Sequence, residues 1–414
     1  MPKIEIVDVT NRDGEQTARI VLSKLQKTII NILLDEMGIC GSELGFPLNP
    51  NEWNYINANV ALTKLENNER RPIGDLRLEG WSRAVAADVE QALAHTDLEH
   101  LNVSISTSQQ MLEWKFKGKF TPDDIIQMMT DAVRAAREGG CTSVGFNAED
   151  ASRTDLEFLK DFGLAGKEAG ADRMRYCDTL GYDDPFSIAE RVGWLASEVQ
   201  MPLEMHCHDD LGLGVANSVA AATAACDAGQ DAYINTTING VGERAGNADL
   251  VSCILALRYS AKLGETGYLS DHIDLSKAWK IATYVAHAFG LPIPINQPGV
   301  GANAFAHESG IHADGALKDR HNYELYDFEA LGRGEVEVKQ TGREILTGIH
   351  GGTSGLEHVY AHLDLAFKDA EHAREIQDLV QYANLSTQAP LTAEELEFIY
   401  YYPTIACQLL TVTP

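Results

Sequence analysis

Short apolar runs alternate with longer segments whose apolar residues recur at helical spacing through the first two-thirds of the chain. The first run, Ile4–Val9, predicts a strand, and Ser23–Met37 predicts a helix that Ser23 is placed to cap. The later strands are predicted at Ile39–Leu44, Leu76–Trp81, Leu101–Ser106, Ser143–Asn147, Met174–Asp178, Leu203–His208 and Ala232–Thr237. The later helices are predicted at Asn51–Leu65, Ala84–Ala94, Asp123–Glu138, Asp155–Ala169, Pro185–Glu198, Val215–Ala228 and Ala248–Leu263.

Eight strand–helix units in about 265 residues have the size and rhythm of a (β/α)8 barrel. An open, doubly wound sheet is the alternative, because alternating strands and helices do not by themselves separate the two folds. The count of eight, and the lack of a G-x-G-x-x-G motif after the first strand, favour the barrel. We therefore predict an α/β fold in which residues 1–270 form a TIM barrel.

The pattern changes near residue 275, where prolines begin to interrupt a loop-rich segment. Beyond it, helices are predicted at Gly355–Phe367, Asp369–Ala383 and Ala393–Tyr400, and an apolar tail covers Thr404–Val412. Residues 271–414 are therefore predicted to form a smaller, mostly α-helical C-terminal subdomain.

The charge balance narrows the classes of partner. The chain has 61 acidic and 33 basic residues, a formal net charge of −28, which argues against nucleic acid or an anionic membrane as a partner. Its 7 cysteines are scattered without a C-x-x-C pair, which is typical of a reducing compartment. No signal peptide or membrane-spanning run is evident, so we expect a cytoplasmic protein that acts on small molecules.

Polar residues stand at the carboxyl ends of the predicted strands, where TIM-barrel enzymes place their active sites. On strand seven, alternation puts Glu204, His206 and His208 on one face. Asp13 follows strand one and Asn239 follows strand eight, and these strands become neighbours once the barrel closes. Two imidazoles, a carboxylate and an amide oxygen predict a mixed nitrogen and oxygen metal site, suited to Mn²⁺, Co²⁺, Zn²⁺ or Mg²⁺.

Each of these residues also has a purely structural interpretation. Asp13 can cap the turn after strand one, Asn239-Gly240 is a common turn pair, and Glu43 at the end of strand two can pair with Arg12 inside the core. An active site is favoured because so many strands, including strand five with Asn147, end in a polar residue at the same rim of the barrel.

Four separated motifs give the chain a specific resemblance. It resembles the isopropylmalate, homocitrate and citramalate synthases, metal-dependent barrels that condense acetyl-CoA with a 2-oxo acid. The motifs are Arg12-Asp-Gly-Glu-Gln16, His206-Cys-His-Asp-Asp-Leu-Gly212, Asn239-Gly-Val-Gly-Glu-Arg-Ala-Gly-Asn247 and Ser309-Gly-Ile-His-Ala-Asp-Gly315. The likeness runs from residue 5 to about residue 350, and it implies a homodimer in which the C-terminal subdomain contributes to the neighbouring subunit's active site.

The resemblance implies a role for each matching metal-site residue. Asp13, His206 and His208 are the implied metal ligands, with Asn239 a weaker or water-mediated ligand, and Glu204 supports them. Mn²⁺ is the expected ion, and Co²⁺, Mg²⁺ and Zn²⁺ are the alternatives.

The resemblance also implies roles in substrate chemistry. Arg12 holds the 2-oxo group and stabilises the alkoxide that forms from it, and Thr179 binds the 1-carboxylate. His312 takes part in the base chemistry that converts acetyl-CoA into its enolate, and Tyr323 and Tyr326 are candidates for an assisting tyrosine.

Departures from the family pattern point to one 2-oxo acid. Homocitrate synthases carry Arg where this chain has Gly145 and His where it has Trp81, and isopropylmalate synthases carry Glu at position 145. Four further segments most resemble the Re-citrate synthases, the branch that uses oxaloacetate: Val9-Thr-Asn-Arg-Asp-Gly14, Leu78-Glu-Gly-Trp-Ser-Arg83, Asn102-Val-Ser-Ile-Ser-Thr-Ser108 and Asn296-Gln-Pro-Gly-Val-Gly301. Alternatives are a homocitrate synthase, a methylmalate synthase that uses a phosphonopyruvate-type substrate, and an acyl-CoA lyase. Arg83, Ser106 and Asn147 are candidates to hold a second substrate carboxylate.

Overall fold

Eight parallel strands form a closed barrel in the computed structural model, which describes residues 1–65, 72–334 and 345–411. The strands are β1 (Ile4–Asp8), β2 (Gly41–Gly45), β3 (Arg77–Arg83), β4 (His100–Ser106), β5 (Ser143–Glu149), β6 (Arg173–Asp178), β7 (Leu203–Cys207) and β8 (Ala232–Thr236). Each strand pairs with the next one along the chain, and β8 closes the barrel by pairing in parallel with β1. The predicted TIM barrel is therefore confirmed.

A helix follows each strand and covers the outside of the barrel. These helices are α1 (Lys24–Met37), α2 (Pro50–Lys64), α3 (Ala86–His95), α4 (Pro122–Glu138), α5 (Leu156–Glu168), α6 (Pro185–Val199), α7 (Gly214–Asp227) and α8 (Leu250–Tyr259). Local signals mark the starts of most of them. Ser23 caps α1, as the sequence predicts, and it does so in a reciprocal capping box with Gln26. Asp184 caps α6 directly before Pro185.

Alternation along the strands separates an apolar layer from a charged interior. On β6, Met174 packs towards Gly163 of α5, and the Tyr176 hydroxyl accepts a hydrogen bond from Arg191 of α6. The alternate residues, Arg173 and Arg175, point the other way and pair with carboxylates inside the barrel. The barrel interior is thus ionic, where such barrels usually hold branched apolar side chains.

Six further helices follow the barrel in the part of the chain that the structure describes. They are α9 (Ala278–Phe289), α10 (Gly310–Lys318), α11 (Thr353–Ala361), α12 (Ala370–Thr387), α13 (Ala393–Tyr401) and α14 (Pro403–Leu410). Helices α9 and α10 are not among the sequence-based predictions. The apolar tail Thr404–Val412 proves to be largely helix α14, which starts at a proline suited to a first turn, and its last residue lies outside the described residues.

The C-terminal helices pack against the first part of the barrel. Helix α1 contacts α9, α13 and α14, and the Lys24 ammonium donates to the Thr411 carbonyl at 2.7 Å. Tyr284 on α9 donates to Glu395 on α13 at 3.0 Å. Helices well beyond residue 270 therefore still pack against the barrel. Within the described ranges, none of the helices combines the length and hydropathy needed to cross a bilayer.

Candidate active site and metal centre

Three side chains converge at the carboxyl ends of β1 and β7. The Nε2 atoms of His206 and His208 lie 3.3 Å apart, and Asp13 Oδ2 lies 3.8 Å and 4.0 Å from them. One ligand atom from each residue falls within 4.8 Å of the others, and all three residues are buried. They meet because β1 and β7 both flank β8 in the closed barrel.

Electrostatics keep this cluster in the protonation state that a cation needs. Burial alone would raise the pKa of Asp13, but the charge of Arg12 and the hydrogen bond from Asn247 oppose it, and the pKa lies well below its ordinary value. Burial lowers the pKa of His206 and His208 against the opposing effect of Asp13. At neutral pH the cluster therefore presents one carboxylate and two neutral imidazoles.

This donor set fits a divalent cation. Imidazole nitrogens and a carboxylate oxygen without thiolates suit Mn²⁺, Co²⁺, Zn²⁺ or Mg²⁺ in a site with open positions. Beside the cluster, the Asn247 amide donates to Asp13 Oδ2 at 2.7 Å, while its own Oδ1 is buried without a hydrogen-bond partner. That oxygen is a further acceptor available next to the three ligands.

The structure does not bring Asn239 into this cluster. Asn239 has a left-handed backbone, with φ of 61°, and its side chain donates to the carbonyl of Ala282 on α9 at 2.9 Å. Asn247, the last residue of the same motif, takes the place beside Asp13. The sequence placed both asparagines after β8 but gave no signal for how the Gly-rich loop between them folds back.

Arg12 joins the cluster to the barrel interior. Its Nη1 lies 2.6 Å from Asp13 Oδ1 and its Nε lies 2.5 Å from Glu43, so the pairing of Arg12 with Glu43 considered from the sequence is present. The guanidinium carbon lies 5.6 Å from the centre of the Trp81 ring. Arg12, Trp81 and the metal cluster line one cavity of about 280 Å³.

Asn147 and Thr179, both predicted from the sequence, line this same cavity. The Asn147 Oδ1 is buried without a hydrogen-bond partner. The Thr179 hydroxyl accepts a hydrogen bond from the Asp150 amide at 2.9 Å, so the backbone of the neighbouring loop holds it.

Arg83 lies elsewhere. It pairs with Asp88 at 2.6 Å, more than half of its side chain is exposed, and it is absent from the cavity lining. Because β3 ends at Arg83, its side chain turns outward to the start of α3.

Three of the cations that line the cavity were not predicted as site residues from the sequence: Lys115, Arg175 and Arg244. Of these, Lys115 is the one that contacts Ser106, a candidate from the sequence to hold a second substrate carboxylate. It lies on a π-helical turn, Met111–Lys115, and reaches the cavity beside Glu149 and Ser106. Its Nζ lies 2.7 Å from both Glu149 carboxylate oxygens and 3.0 Å from Ser106 Oγ, and Ser106 donates to Glu149 at 2.6 Å. No motif marks this lysine, because the contact joins two loops that are distant in sequence.

Glu204 lies below the histidines, inside the ionic layer. Its Oε2 lies 2.7 Å from Arg173 Nε, and its Oε1 lies 2.6 Å from Arg175 Nη2. Burial would raise the pKa of Glu204, but the two arginines hold it below its ordinary value. Arg175 continues to Glu43 at 2.9 Å, so Glu204 belongs to the same charge network as Arg12.

Gly145, considered from the sequence as a substrate-facing position, lies one layer below Asn147. A Cβ built there would clash with the Asn102 amide and contact Arg173. Gly145 is absent from the cavity lining, whereas Trp81 is part of it. The glycine is therefore required by the packing of the ionic layer.

His312 does not lie with the metal cluster of its own chain. It is exposed on α10, and its ring stacks on Tyr323 with the centroids 4.2 Å apart. Tyr326 instead packs against Tyr259 and Phe305. Of the two candidate tyrosines, Tyr323 is thus the one that contacts His312.

Comparison with known proteins agrees with this architecture. The family model described as HMGL-like matches residues 3–285, and the one described as homocitrate synthase post-HMGL domain-like matches residues 300–386. The hydroxymethylglutaryl-CoA lyase from Pseudomonas aeruginosa superposes with a TM-score of 0.56 at 16% identity, over 71% of this chain and 95% of that one. A likeness at that identity supports the fold alone.

Similarity in sequence shows the family as well as the fold. The chain is 55% identical to the citrate (Re)-synthase of Dehalococcoides mccartyi, over 100% of this chain and 99% of that protein. It is 38% identical to 2-isopropylmalate synthase 2 of Caldanaerobacter subterraneus, over 96% and 95% of the two chains. The protein is an enzyme of the acyltransferase type. It belongs to the isopropylmalate, homocitrate and citramalate synthase family.

Proposed function

We propose that this enzyme condenses acetyl-CoA with oxaloacetate and water to give citrate and CoA, as a Re-citrate synthase. The observation that carries the proposal is the 55% identity to a citrate (Re)-synthase along the whole chain. The cavity supports it, because Arg12, Asp13, His206 and His208 stand together there.

Asp13, His206 and His208 would hold a divalent cation, with Mn²⁺ the expected ion, and the Asn247 amide would hold Asp13 in place by donating to its Oδ2. When bound, that cation supplies Lewis-acid polarisation of the 2-oxo acid. The side chains of the protein have separate tasks around it.

Arg12 stabilises the negative charge that develops on the carbonyl oxygen of the 2-oxo acid. Glu43 and Asp13 hold the guanidinium in one direction before substrate arrives, which is the preorganisation that makes such a donor effective. Thr179 binds the 1-carboxylate. Asn147, with its unpartnered Oδ1, completes the polar wall of the cavity.

We infer that Lys115, with Ser106 behind it, binds the second carboxylate of oxaloacetate. The lysine takes the role that the sequence suggested for Arg83, because it lines the cavity and Arg83 does not.

His312 acts as the base that accepts a proton from the acetyl methyl group, and Tyr323 holds its ring by stacking. Both residues belong to the C-terminal subdomain, residues 271–414, and we infer that they serve the active site of the partner subunit in a homodimer. Helix α10 supports this inference: it has no buried residue, and Ile311 and Leu317 are 75% and 89% exposed.

The test is CoA release from acetyl-CoA by metal-stripped protein before and after Mn²⁺ is resupplied. Oxaloacetate, 2-oxoglutarate, pyruvate and 2-oxoisovalerate are compared side by side. We expect Mn²⁺-dependent release with oxaloacetate and citrate as the product. Preference for 2-oxoglutarate would make the enzyme a homocitrate synthase, and release with none of the four acids would favour a phosphonate substrate or a lyase.

The proposed setting is a cytoplasmic enzyme that works on small molecules without a nucleic acid or membrane partner. Its net charge of −28 supports this, because it repels polyanions. The same charge makes the cation and the arginines necessary to attract two anionic substrates.

A further inference from the structure

The amide of Asn235 on β8 lies between two residues of β7. Its Nδ2 donates to Glu204 Oε1 at 2.6 Å, and its Oδ1 faces His206 Nδ1 at 3.2 Å. All three side chains are buried. Asn235 is thus the link between the ionic layer of the barrel and one histidine of the metal cluster.

The direction of this amide is dictated by its neighbours. The two oxygens of Glu204 accept hydrogen bonds from Arg175 Nη2 at 2.6 Å and from Arg173 Nε at 2.7 Å. A carboxylate held by two guanidinium groups offers only acceptors to a third neighbour. The amide nitrogen of Asn235 must therefore face Glu204, which leaves its oxygen towards His206.

An oxygen at that place fixes the tautomer of the ring. A neutral imidazole carries one proton, and an acceptor at Nδ1 keeps that proton on Nδ1. We infer that Asn235 is a positioning residue that holds His206 with its Nε2 lone pair directed at the cation site. The inference rests on the cation site of the proposed function, and neither a motif nor a relative pointed to Asn235.

His208 provides the contrast. Its Nδ1 is buried without a hydrogen-bond partner, and its Nε2 faces the Nε2 lone pair of His206 at 3.3 Å. Without a cation, the proton of His208 is therefore on Nε2, the nitrogen that would have to bind the cation. His206 is consequently the histidine whose lone pair is prepared before a cation arrives, whereas His208 adjusts its proton on binding.

The tautomer can be read directly in the metal-free, full-length protein. Histidine labelled with ¹⁵N in the ring gives different long-range correlations for protonated and unprotonated nitrogens, and His206→Gln identifies the signals of His206. We expect the His206 proton on Nδ1. A His206 proton on Nε2 in the wild-type protein would overturn the inference.

Two matched leucine variants then distinguish the loss of His206 positioning from general damage to the buried ionic network. Asn235→Leu removes the acceptor, so Mn²⁺ binding measured by calorimetry should weaken about 10- to 100-fold, the usual effect of losing such a support. Asn102→Leu is the control, since Asn102 also bonds buried carboxylates, Glu79 and Glu43, but neither histidine. Its Mn²⁺ affinity should stay within about twofold of wild type. Equal losses in both variants would contradict a specific role for Asn235.

The wild-type spectrum covers the case in which the leucine protein does not fold. It requires no substitution at position 235, and a His206 proton away from Nδ1 would still overturn the inference. None of these measurements uses acetyl-CoA or a 2-oxo acid. Failure to form citrate would therefore leave them intact, whereas wild-type protein that binds no Mn²⁺ would remove the proposed cation site and this inference with it.

Discussion

At the scale of single residues, the cations of the active-site cavity differ in how firmly they are held. Arg12 and Arg175 are fixed by buried carboxylates. Lys115 has a flexible stem, nearly half of its side chain is exposed, and its partner Glu149 is itself partly exposed. Arg244 also lines the cavity, but Asp210 holds it through both carboxylate oxygens at 2.8 and 2.9 Å, and the Thr179 carbonyl accepts from it at 2.5 Å. Lys115 is therefore the cavity cation that can most readily exchange its partner for a substrate carboxylate.

Replacing Lys115 with Met should raise the KM for oxaloacetate about 10- to 100-fold, because a hydrogen bond to a charged group contributes about 1.5–3 kcal/mol. Activity with pyruvate, which lacks the second carboxylate, should change much less. Steady-state kinetics with both acids makes the comparison. Lys119→Met, at an exposed position four residues further on, is the control and should behave as wild type.

The double variant Lys115→Met/Glu149→Gln separates two explanations of such a loss. If Lys115 contacts substrate, the double variant keeps the high KM. Recovery of a normal KM would mean instead that Lys115 only neutralises Glu149.

Asp8, fully buried on β1, makes a pH-dependent contribution to stability. Burial raises its pKa from 3.8 to about 7, so the folded protein keeps a proton that the unfolded chain has lost between these values. Stability therefore falls as pH rises through this interval.

Asp8→Asn cannot titrate, and it keeps an oxygen for the Thr10 amide, which donates to Asp8 at 2.9 Å. Its free energy of unfolding should increase relative to that of wild type by about 2.5 kcal/mol between pH 5 and pH 8, because only the wild-type protein loses stability over this interval. Denaturant unfolding at both values measures this. The same difference at pH 5 and pH 8 would contradict the raised pKa.

At the scale of elements, the sequence predicts what depends on local periodicity. All eight strands and their helices follow from it, because each carries an apolar stripe and most have caps or prolines at their starts. Helix α10 escaped prediction because it buries no residue and so lacks such a stripe. Helix α9 was missed although it does carry one, since Ile281, Val285 and Phe289 recur at helical spacing. The positions of Lys115 and Asn247 also could not be predicted from the sequence, because each depends on how a loop folds back across the barrel rim.

Helix α10 leads to a prediction of its own. Because Leu317 is 89% exposed in the single chain, we expect the partner subunit to cover it. Leu317→Glu should shift the protein from dimer towards monomer and lower activity, as measured by light scattering and CoA release. Leu164→Glu on α5, at a position 41% exposed, is the control and should remain dimeric. A dimeric Leu317→Glu protein would place the subunit contact elsewhere.

At the scale of the whole molecule, the proposed active site needs two chains. Mixing inactive His312→Ala protein with inactive Asp13→Asn protein, followed by subunit exchange, should restore about a quarter of wild-type activity, since half of the random dimers contain one intact site. Mixing Asp13→Asn with His206→Gln is the control, because both residues belong to the same cluster and no intact site forms. No recovery in the first mixture would place His312 outside the partner's site.

The ionic interior of the barrel limits how an enzyme of this kind can change its substrate during evolution. Arg173, Arg175, Glu79 and Glu204 balance one another out of contact with solvent, and Asn102 leaves no room for a side chain at position 145. A single substitution in this floor would strand a buried charge, so a charged side chain at position 145, as the homocitrate and isopropylmalate synthases carry, would require its charged neighbours to change with it. The upper rim is less constrained, because Trp81 and Lys115 border the cavity and can be exchanged one at a time.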